Sequence, residues 1–426
     1  MFQRVMITGL GWTTSLGSNL ETCWRKLLAG ESGIRPISFW DTTSYTVKLA
    51  AEVRDIPRDT GLATVPSTWC RRSSRLFLPV VREAFGDAGL DTCPVPSDEI
   101  GIAAGASVNY IDHRLIREYF SRFDKATRRL AFNALGIGEE RPEVFARRAG
   151  DMMAAVPARL LRLGGPSFAV DTACAASSHA IGEAFRLIRR GKASAMIAGG
   201  SAALVSPLGI IAFSLLGALS RSSNPLEASR PFDRLRDGFV MGEGAGAVVL
   251  ESLPSALRRG ARIYAEVVGY GSTSNAGSLT DPSADGTPEA RAMASALAEG
   301  EMAPEEVDYI AAHGTSTQKN DATETLAIKR VFGEHARRLL VSSNKGQIGH
   351  TISAAGVSNV ICAVKAITDG IAPPTMNLRN PDAECDLDYV PNQSRPSRIR
   401  GAIANAFAFG GQNTALAIRA WSGSGA

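Results

Sequence analysis

Val170-Asp-Thr-Ala-Cys-Ala-Ala-Ser-Ser178 is the stretch on which the reading of this chain turns. Phe168–Asp171 has the character of a short strand, the small residues after it form a turn, and Ser178–Arg190 continues as a helix. Cys174 therefore sits where strand gives way to helix. A thiol there faces free backbone N–H groups and the positive end of a helix dipole. Both favour the nucleophilic thiolate, so a lowered pKa is expected. The same N–H groups can hold an oxyanion, and the flanking Ala and Ser leave room for a ligand. A small structural cysteine is the plainer alternative, and it suits Cys362, inside an apolar helix, much better.

The layout recurs later in the chain. Leu340–Ser343 reads as a strand, Lys345-Gly-Gln-Ile-Gly-His350 as a glycine-rich turn, and Ser353–Thr368 as a helix. Each helix is followed by a glycine at its C-cap, Gly191 or Gly370. Two similar halves are expected, 1–252 and 253–426. Strand-like runs at Arg4–Thr8, Ile100–Ala104, Met196–Ala198, Gly246–Glu251, Val307–Ala312 and Ala402–Asn405 alternate with helical ones such as Pro288–Ala298 and Asp321–Phe332. That alternation predicts an α/β fold with buried sheets. Residues 111–150, rich in Arg and Phe, read as a solvated helical excursion. The functional alternative is a cap over a substrate tunnel or a surface for a partner.

Composition narrows the classes. The 426 residues are 45% hydrophobic and 21% charged, which excludes a disordered or collagen-like chain. A net charge of +4 makes no case for nucleic-acid binding but permits a local basic patch. None of the six cysteines forms a CxxC pair, so neither a zinc ribbon nor a disulfide framework is expected. Met1–Gly11 has no signal-peptide pattern. No window approaches the ~18 apolar residues of a membrane helix. The expected setting is cytoplasmic, with no metal.

The second half supplies the partners for Cys174. Val307–Ala312 runs into His313-Gly-Thr-Ser-Thr317, and His350 lies at the start of another helix. The remaining histidines, His113, His179 and His335, read as structural. One Cys with a single His and an Asn would suggest a thiol acyltransferase or hydrolase. Two neutral imidazoles can instead each donate an N–H to one thioester carbonyl oxygen, stabilising the enolate formed when a malonyl group loses carbon dioxide. Gly9-Leu-Gly11 after a strand is a decoy for a dinucleotide fingerprint. Thr14 replaces the third glycine and no acidic ribose partner follows.

Asp171-Thr-Ala-Cys174, Ser229-Arg-Pro-Phe-Asp233 with Arg236-Asp-Gly-Phe-Val240, Gly242-Glu-Gly-Ala-Gly246, His313-Gly-Thr-Ser-Thr317, Lys345…Gly349-His350 and Asn405–Asn413 form an ordered series. In this series, from Ile7-Thr-Gly-Leu-Gly11 to its end, the chain resembles the elongating β-ketoacyl-acyl-carrier-protein synthases, the ketosynthase II class of the thiolase superfamily. The resemblance implies a thiolase fold, two βαβαβαββ halves in a five-layer αβαβα arrangement. It implies that Cys174 takes the acyl group and that the N–H groups of Cys174 and Phe409 form an oxyanion hole, with Phe409 also a gate. His313 and His350 would hold the malonyl thioester oxygen, Lys345 would pair with Glu324, and Thr315 and Thr317 would bind the phosphopantetheine arm. Val108, Asn109 and Tyr110 would line the acyl pocket. An acidic acyl carrier protein would dock, with Arg71, Arg72, Arg75 and Arg221 as candidates. No cofactor is implied beyond the substrate-bearing phosphopantetheine, and a homodimer is usual.

Four departures stand out. Ala408 occupies a usual glycine before Phe409, and its Cβ is expected to stiffen the gate. Gln318 replaces a usual Pro, Gln347-Ile348 replaces a Met-Thr-like pair, and Ser107-Val-Asn-Tyr110 stands where glycine-rich sequence is usual. They point to a specialised fatty-acid-like or polyketide pathway. A chain-length-factor-like partner subunit and a decarboxylase that makes starter units are the competing readings. The first normally lacks the nucleophile, whereas the second would use these same residues.

Overall fold

The computed structural model describes residues 2–56, 70–92, 95–106 and 150–423, together with 121, 123, 124, 126, 127, 129 and 130. Val108, Asn109, Tyr110, His113 and most of the 111–150 segment lie outside the described residues.

Ten strands form the main sheet: β1 (Val5–Thr14), β2 (Ile100–Gly105), β3 (Ser167–Val170), β4 (Ala195–Ala202), β5 (Gly244–Ser252), β6 (Ala265–Ser274), β7 (Tyr309–Ala311), β8 (Leu340–Ser342), β9 (Gly401–Phe407) and β10 (Gln412–Ala420). Their order is β8-β7-β9-β10-β6-β1-β5-β4-β2-β3. Each side repeats the other. β4, β2 and β3 are mutually parallel, as are β9, β7 and β8, while β5 and β10 run antiparallel to both their neighbours. The two five-stranded halves meet only along Val5–Ile7 of β1 and Ala265–Val267 of β6.

The repeat extends to single residues. The β1–β5 register slips between Ile7 and Gly9, and the β6–β10 register slips between Val267 and Gly269. Past the slip each strand carries two glycines against a helix: α1 (Arg72–Asp87) or its counterpart in the second half, Thr287–Glu299. A Cβ on Gly9 or Gly11 would lie 2.2 or 2.1 Å from carbonyl oxygens of Ala84 or Val80. On Gly269 or Gly271 it would lie 2.0 or 1.9 Å from those of Ala296 or Ala292. The Gly9-Leu-Gly11 run is therefore a seat on which a helix packs. Each helix also returns a carboxylate to its strand: Asp87 accepts from Leu10 N at 2.9 Å, Glu299 from Tyr270 N at 3.0 Å.

The remaining helices that matter here are α2 (Ala176–Arg189), α3 (Pro207–Leu215), α4 (Thr287–Glu299), α5 (Gln318–Phe332) and α6 (Ala355–Asp369). Alternate residues of the strands face opposite cores. Val248 and Leu250 of β5 pack with Ile181 and Phe185 of α2 and Val360 and Ile361 of α6 in a central core. Ala247 and Val249 turn the other way, to Phe77 and Val80 of α1. In the second half Ile403 of β9 and Ala415 of β10 meet Met293 of α4 and Ile328 of α5. The result is the five-layer αβαβα stack of the thiolase fold. Ile352–Asp369 is long and apolar enough to cross a membrane by length and composition alone, though Asn359, Lys365 and Asp369 interrupt its apolar run. It is a core segment, 78% of it buried, packed in the central core between the two halves of the sheet.

Candidate active site

Three loops at the ends of parallel strands build the site. After β3 the chain makes a 3₁₀ turn, Ala173–Ala175, before entering α2. Ala173 adopts φ +48°, a conformation that stores strain in a non-glycine residue and fixes the direction of the next side chain. Cys174 follows, 4% exposed. In the second half the 3₁₀ turn is Ile352–Ala354, Ile352 has φ +40°, and α6 follows at the same spacing. The residue that repeats Cys174 is thus Ser353, and His350 precedes that turn by two residues. Ser353 is buried, and its hydroxyl donates to Ser201 O at 2.7 Å.

His350 is held by its backbone between Val240 O at 2.7 Å and Gly242 N at 2.9 Å. The fit requires Gly349, with φ +65°, because a Cβ there would meet Val240 O at 2.8 Å. Its Nε2 lies 3.1 Å from Cys174 Sγ. The His313 ring stands edge-on to His350, centroids 5.3 Å apart at 81°, and Phe239 packs against His350 at 4.9 Å. One Cys and two His from distant parts of the sequence therefore converge.

Behind them lies a buried polar layer. Both oxygens of Glu324, on α5, accept backbone N–H groups: His313 N at 2.8 Å and Gly314 N at 2.7 Å. Asn405 Nδ2 adds a third bond at 3.0 Å. Lys345 Nζ donates to the carbonyl oxygen of His313. The expected direct Lys345–Glu324 pair does not form; each clamps a different end of the His313 peptide, and they attract through space. The carboxylate is already spent on N–H donors, which leaves the ammonium to the carbonyl.

Desolvation governs the charges. Burial, reinforced by the positive charge of Lys345, holds His313 and His350 well below the usual histidine pKa, so both rings are neutral. Burial likewise lowers Lys345 against the pull of Glu324. The thiol departs from expectation. Burial pushes Cys174 up to about 12, outweighing Lys345 and the backbone N–H groups of Phe409 and Cys174 that favour the thiolate. A buried thiolate loses more hydration than the helix terminus returns. Those two N–H groups nevertheless converge on the sulfur, as an oxyanion hole requires. Because a lowered histidine pKa keeps the ring neutral below pH ~6.5, the histidine-dependent step should hold its rate between about pH 7.5 and 6. An acid limb with an apparent pKa near 6.5, in a pH profile of carbon dioxide release, would contradict this. By the same linkage the two rings favour the folded state less as pH falls below ~6.5, where only the unfolded chain takes up the protons.

The cleft over these groups is lined by Thr315 and Thr317, whose hydroxyls bond each other at 2.8 Å, and by Phe407, Ala408 and Phe409. Phe409 stacks on Phe213 of α3, centroids 6.3 Å apart. The left-handed residues of this loop are Gly410 and Gly411, with φ +83° and +77°, and Ala408 is not among the positive-φ positions. The Cβ of Ala408 therefore brings no backbone strain here. Gln347 bonds the carbonyls of Leu27 and Glu31, each at 2.9 Å, so that departure is a fold contact.

Arg236 and Asp321 are positioning residues that the sequence reading left without a role. Arg236 reaches Thr317 O at 3.1 Å, Gln318 O at 2.8 Å and Asp321 at 3.7 Å. Asp321 accepts from Phe232 N at 2.8 Å and Ser316 N at 3.2 Å. Together they staple the Ser229–Val240 loop to the His313–Thr317 loop. Both are charged residues within or beside quoted motifs, which was the available signal. Of the docking candidates, Arg72 is committed to buried Glu243 at 2.7 Å and to Val53 O, so it holds the fold instead of offering a free cation. Arg75 and Arg221 are exposed, and Arg71 is partly so.

Comparison with known proteins places the chain. The family model described as "Beta-ketoacyl synthase, N-terminal domain" matches residues 2–256, and "Beta-ketoacyl synthase, C-terminal domain" matches 264–379. The chain is 41% identical over 418 residues to a 3-oxoacyl-[acyl-carrier-protein] synthase 2 of Synechocystis, covering 98% of each. It is 39% identical over 421 residues to one from Coxiella burnetii, again covering 98% of each. A solved structure described as a type II PKS acyl-carrier protein in complex with its ketosynthase bound to the hexaketide superposes with a TM-score of 0.87. That match has 31% identity and covers 99% of this chain and 100% of the other.

Proposed function

The chain belongs to the β-ketoacyl synthase family, and on that premise we propose how its residues divide the decarboxylative condensation of malonyl and acyl thioesters. The Cys174 thiol attacks the acyl thioester; His350 Nε2, at 3.1 Å, takes its proton and passes it to the departing carrier thiolate, which leaves as the thiol and returns the ring to neutral. The oxyanion forms against the N–H groups of Cys174 and Phe409. A malonyl thioester then enters beside Phe409, its carbonyl oxygen toward the neutral His313 and His350. Loss of carbon dioxide leaves an enolate on that oxygen. Its carbon attacks the acyl-Cys174 carbonyl, and collapse of the adduct releases the β-ketoacyl product and the Cys174 thiolate, which takes one proton from solvent to restore the thiol. Lys345 and Glu324 fix the His313 peptide.

One observation carries this reading: Cys174 and two neutral imidazoles meet on a single cleft that also holds the paired Thr315 and Thr317 hydroxyls. A chain-length-factor role has nothing in its favour while these side chains stand together. The substrates are fatty-acyl or polyketide chains carried on phosphopantetheine by an acyl carrier protein, with no other cofactor, and Thr315 and Thr317 take the arm. Arg75 and Arg221 are the exposed docking cations, and we place the enzyme in the cytoplasm. A homodimer is supported by β3, a sheet-edge strand whose Phe168, Ala169 and Val170 remain only half-buried and call for cover. Intact-mass analysis with a panel of acyl-carrier thioesters tests the reading. We expect a covalent acyl adduct that is lost on adding malonyl carrier, with carbon dioxide and a β-ketoacyl product released. Carbon dioxide release with no adduct for any chain would favour the starter-unit decarboxylase instead.

A further inference from the structure

One buried acid of the cleft has no part in that scheme. Glu289, in the first turn of α4, is 0% exposed and lines the same cleft as Cys174 and His313. One carboxyl oxygen accepts Ser283 N at 3.3 Å. The other, Oε2, is buried and makes no hydrogen bond of normal geometry among the described residues, although the Asn275 side chain and the Glu289 N–H stand near enough to the carboxyl to favour its charged form. A buried polar atom of this kind is destabilising unless something satisfies it.

The neighbouring groups are already spent. Asn413 Nδ2 donates to Asn275 Oδ1 at 2.6 Å and to Gly411 O at 3.3 Å, and the Thr315 and Thr317 hydroxyls bond each other. Apart from the histidine Nδ1 atoms, Glu289 Oε2 is the one unspent buried acceptor of the cleft lining among the described residues. Burial raises the Glu289 pKa, but carboxylic acid and carboxylate alike keep an acceptor oxygen.

We propose that Glu289 is a specificity-determining residue for the arm of the incoming thioester, its free oxygen accepting the N–H of a secondary amide. The inference rests on the condensation reading above, because that reaction brings an amide-bearing pantetheine chain through this cleft to Cys174. A thioester without an amide N–H leaves the acceptor unsatisfied and binds less well.

Steady-state kinetics on acyl-loaded enzyme, with malonyl thioesters of three thiols, tests this. N-acetylcysteamine offers one amide N–H, its N-methyl derivative offers a tertiary amide without the N–H, and butanethiol offers no amide. With the unmodified enzyme, KM for the N-methyl compound should exceed that for N-acetylcysteamine by about tenfold, with kcat little changed. Glu289→Ala should abolish that difference by raising KM for N-acetylcysteamine alone, and Glu289→Gln, which keeps an acceptor oxygen, should restore most of it. Equal KM for the two amides in the unmodified enzyme overturns the proposal. So does an Ala variant that raises all three KM values together, because that marks a structural role, or an acceptor that serves a donor on the malonyl group. Failure of the condensation reading would look different: no acyl adduct would form on the unmodified enzyme.

Discussion

In Cys174→Ala, condensation is expected to fall by at least about 10⁴-fold, while carbon dioxide release from the malonyl thioester persists. The two half-reactions use different atoms. Acyl transfer needs the sulfur as nucleophile and as leaving group, and among the described residues no other thiol lines the cleft; Cys362 and Cys23 are buried in the central core. Decarboxylation needs only donors at the thioester oxygen, and His313 and His350 are not held in place by the sulfur. Their backbones are fixed by Glu324, Lys345, Val240 and Gly242. Removing the Sγ atom frees about one methyl's volume, which the cleft tolerates because it already opens to substrate. Isotope-labelled malonyl thioester separates the outcomes, with labelled carbon dioxide expected and no labelled β-ketoacyl product. Retained condensation would remove Cys174 from the mechanism. Loss of both activities in a protein with unchanged melting would show that the sulfur also serves the decarboxylation.

Much of this architecture is readable from local patterns. Strands such as Ile100–Gly105 and helices such as Thr287–Glu299 fall within a residue or two of expectation, because apolar runs and small-residue turns mark them. What the sequence hides follows from long-range packing. β6 goes unrecognised because Gly269 and Gly271 weaken the strand signal, yet those glycines exist so that a helix can lie on it. β1 shows the opposite error, since its Gly9 and Gly11 imitate a nucleotide loop for the same packing reason. α1 is concealed by Pro79 within it. At the site, Cys174, His313 and His350 are legible as reactive residues on turns, but their convergence is a property of the sheet order. The thiol pKa goes astray because a helix terminus can be counted from sequence whereas desolvation cannot. The Lys345–Glu324 pair goes astray because opposite charges suggest an ion pair until the backbone N–H groups that claim the carboxylate are known.

His313→Ala is expected to slow malonyl decarboxylation by about 10²–10³-fold, the usual effect of deleting one donor to a developing oxyanion. The side chain can be removed with little disturbance. Glu324 holds His313 through its backbone N–H and Lys345 through its carbonyl oxygen, so the loop's anchors do not involve the ring. The His313 Nδ1 atom has no partner among the described residues, so its removal orphans nothing. The ring does touch His350 and Phe407, at 5.3 and 5.8 Å between centroids, and a small loss of stability follows from those contacts. Acylation of Cys174 should survive, because the nucleophile, the Phe409 and Cys174 N–H groups and His350 are all retained. The measured signature is therefore a split: an acyl adduct near normal by mass, with carbon dioxide release nearly abolished. Unchanged carbon dioxide release would remove His313 from the enolate step. An equal loss of adduct and decarboxylation would mean that the ring works by holding His350 in place and makes no hydrogen bond to the thioester oxygen.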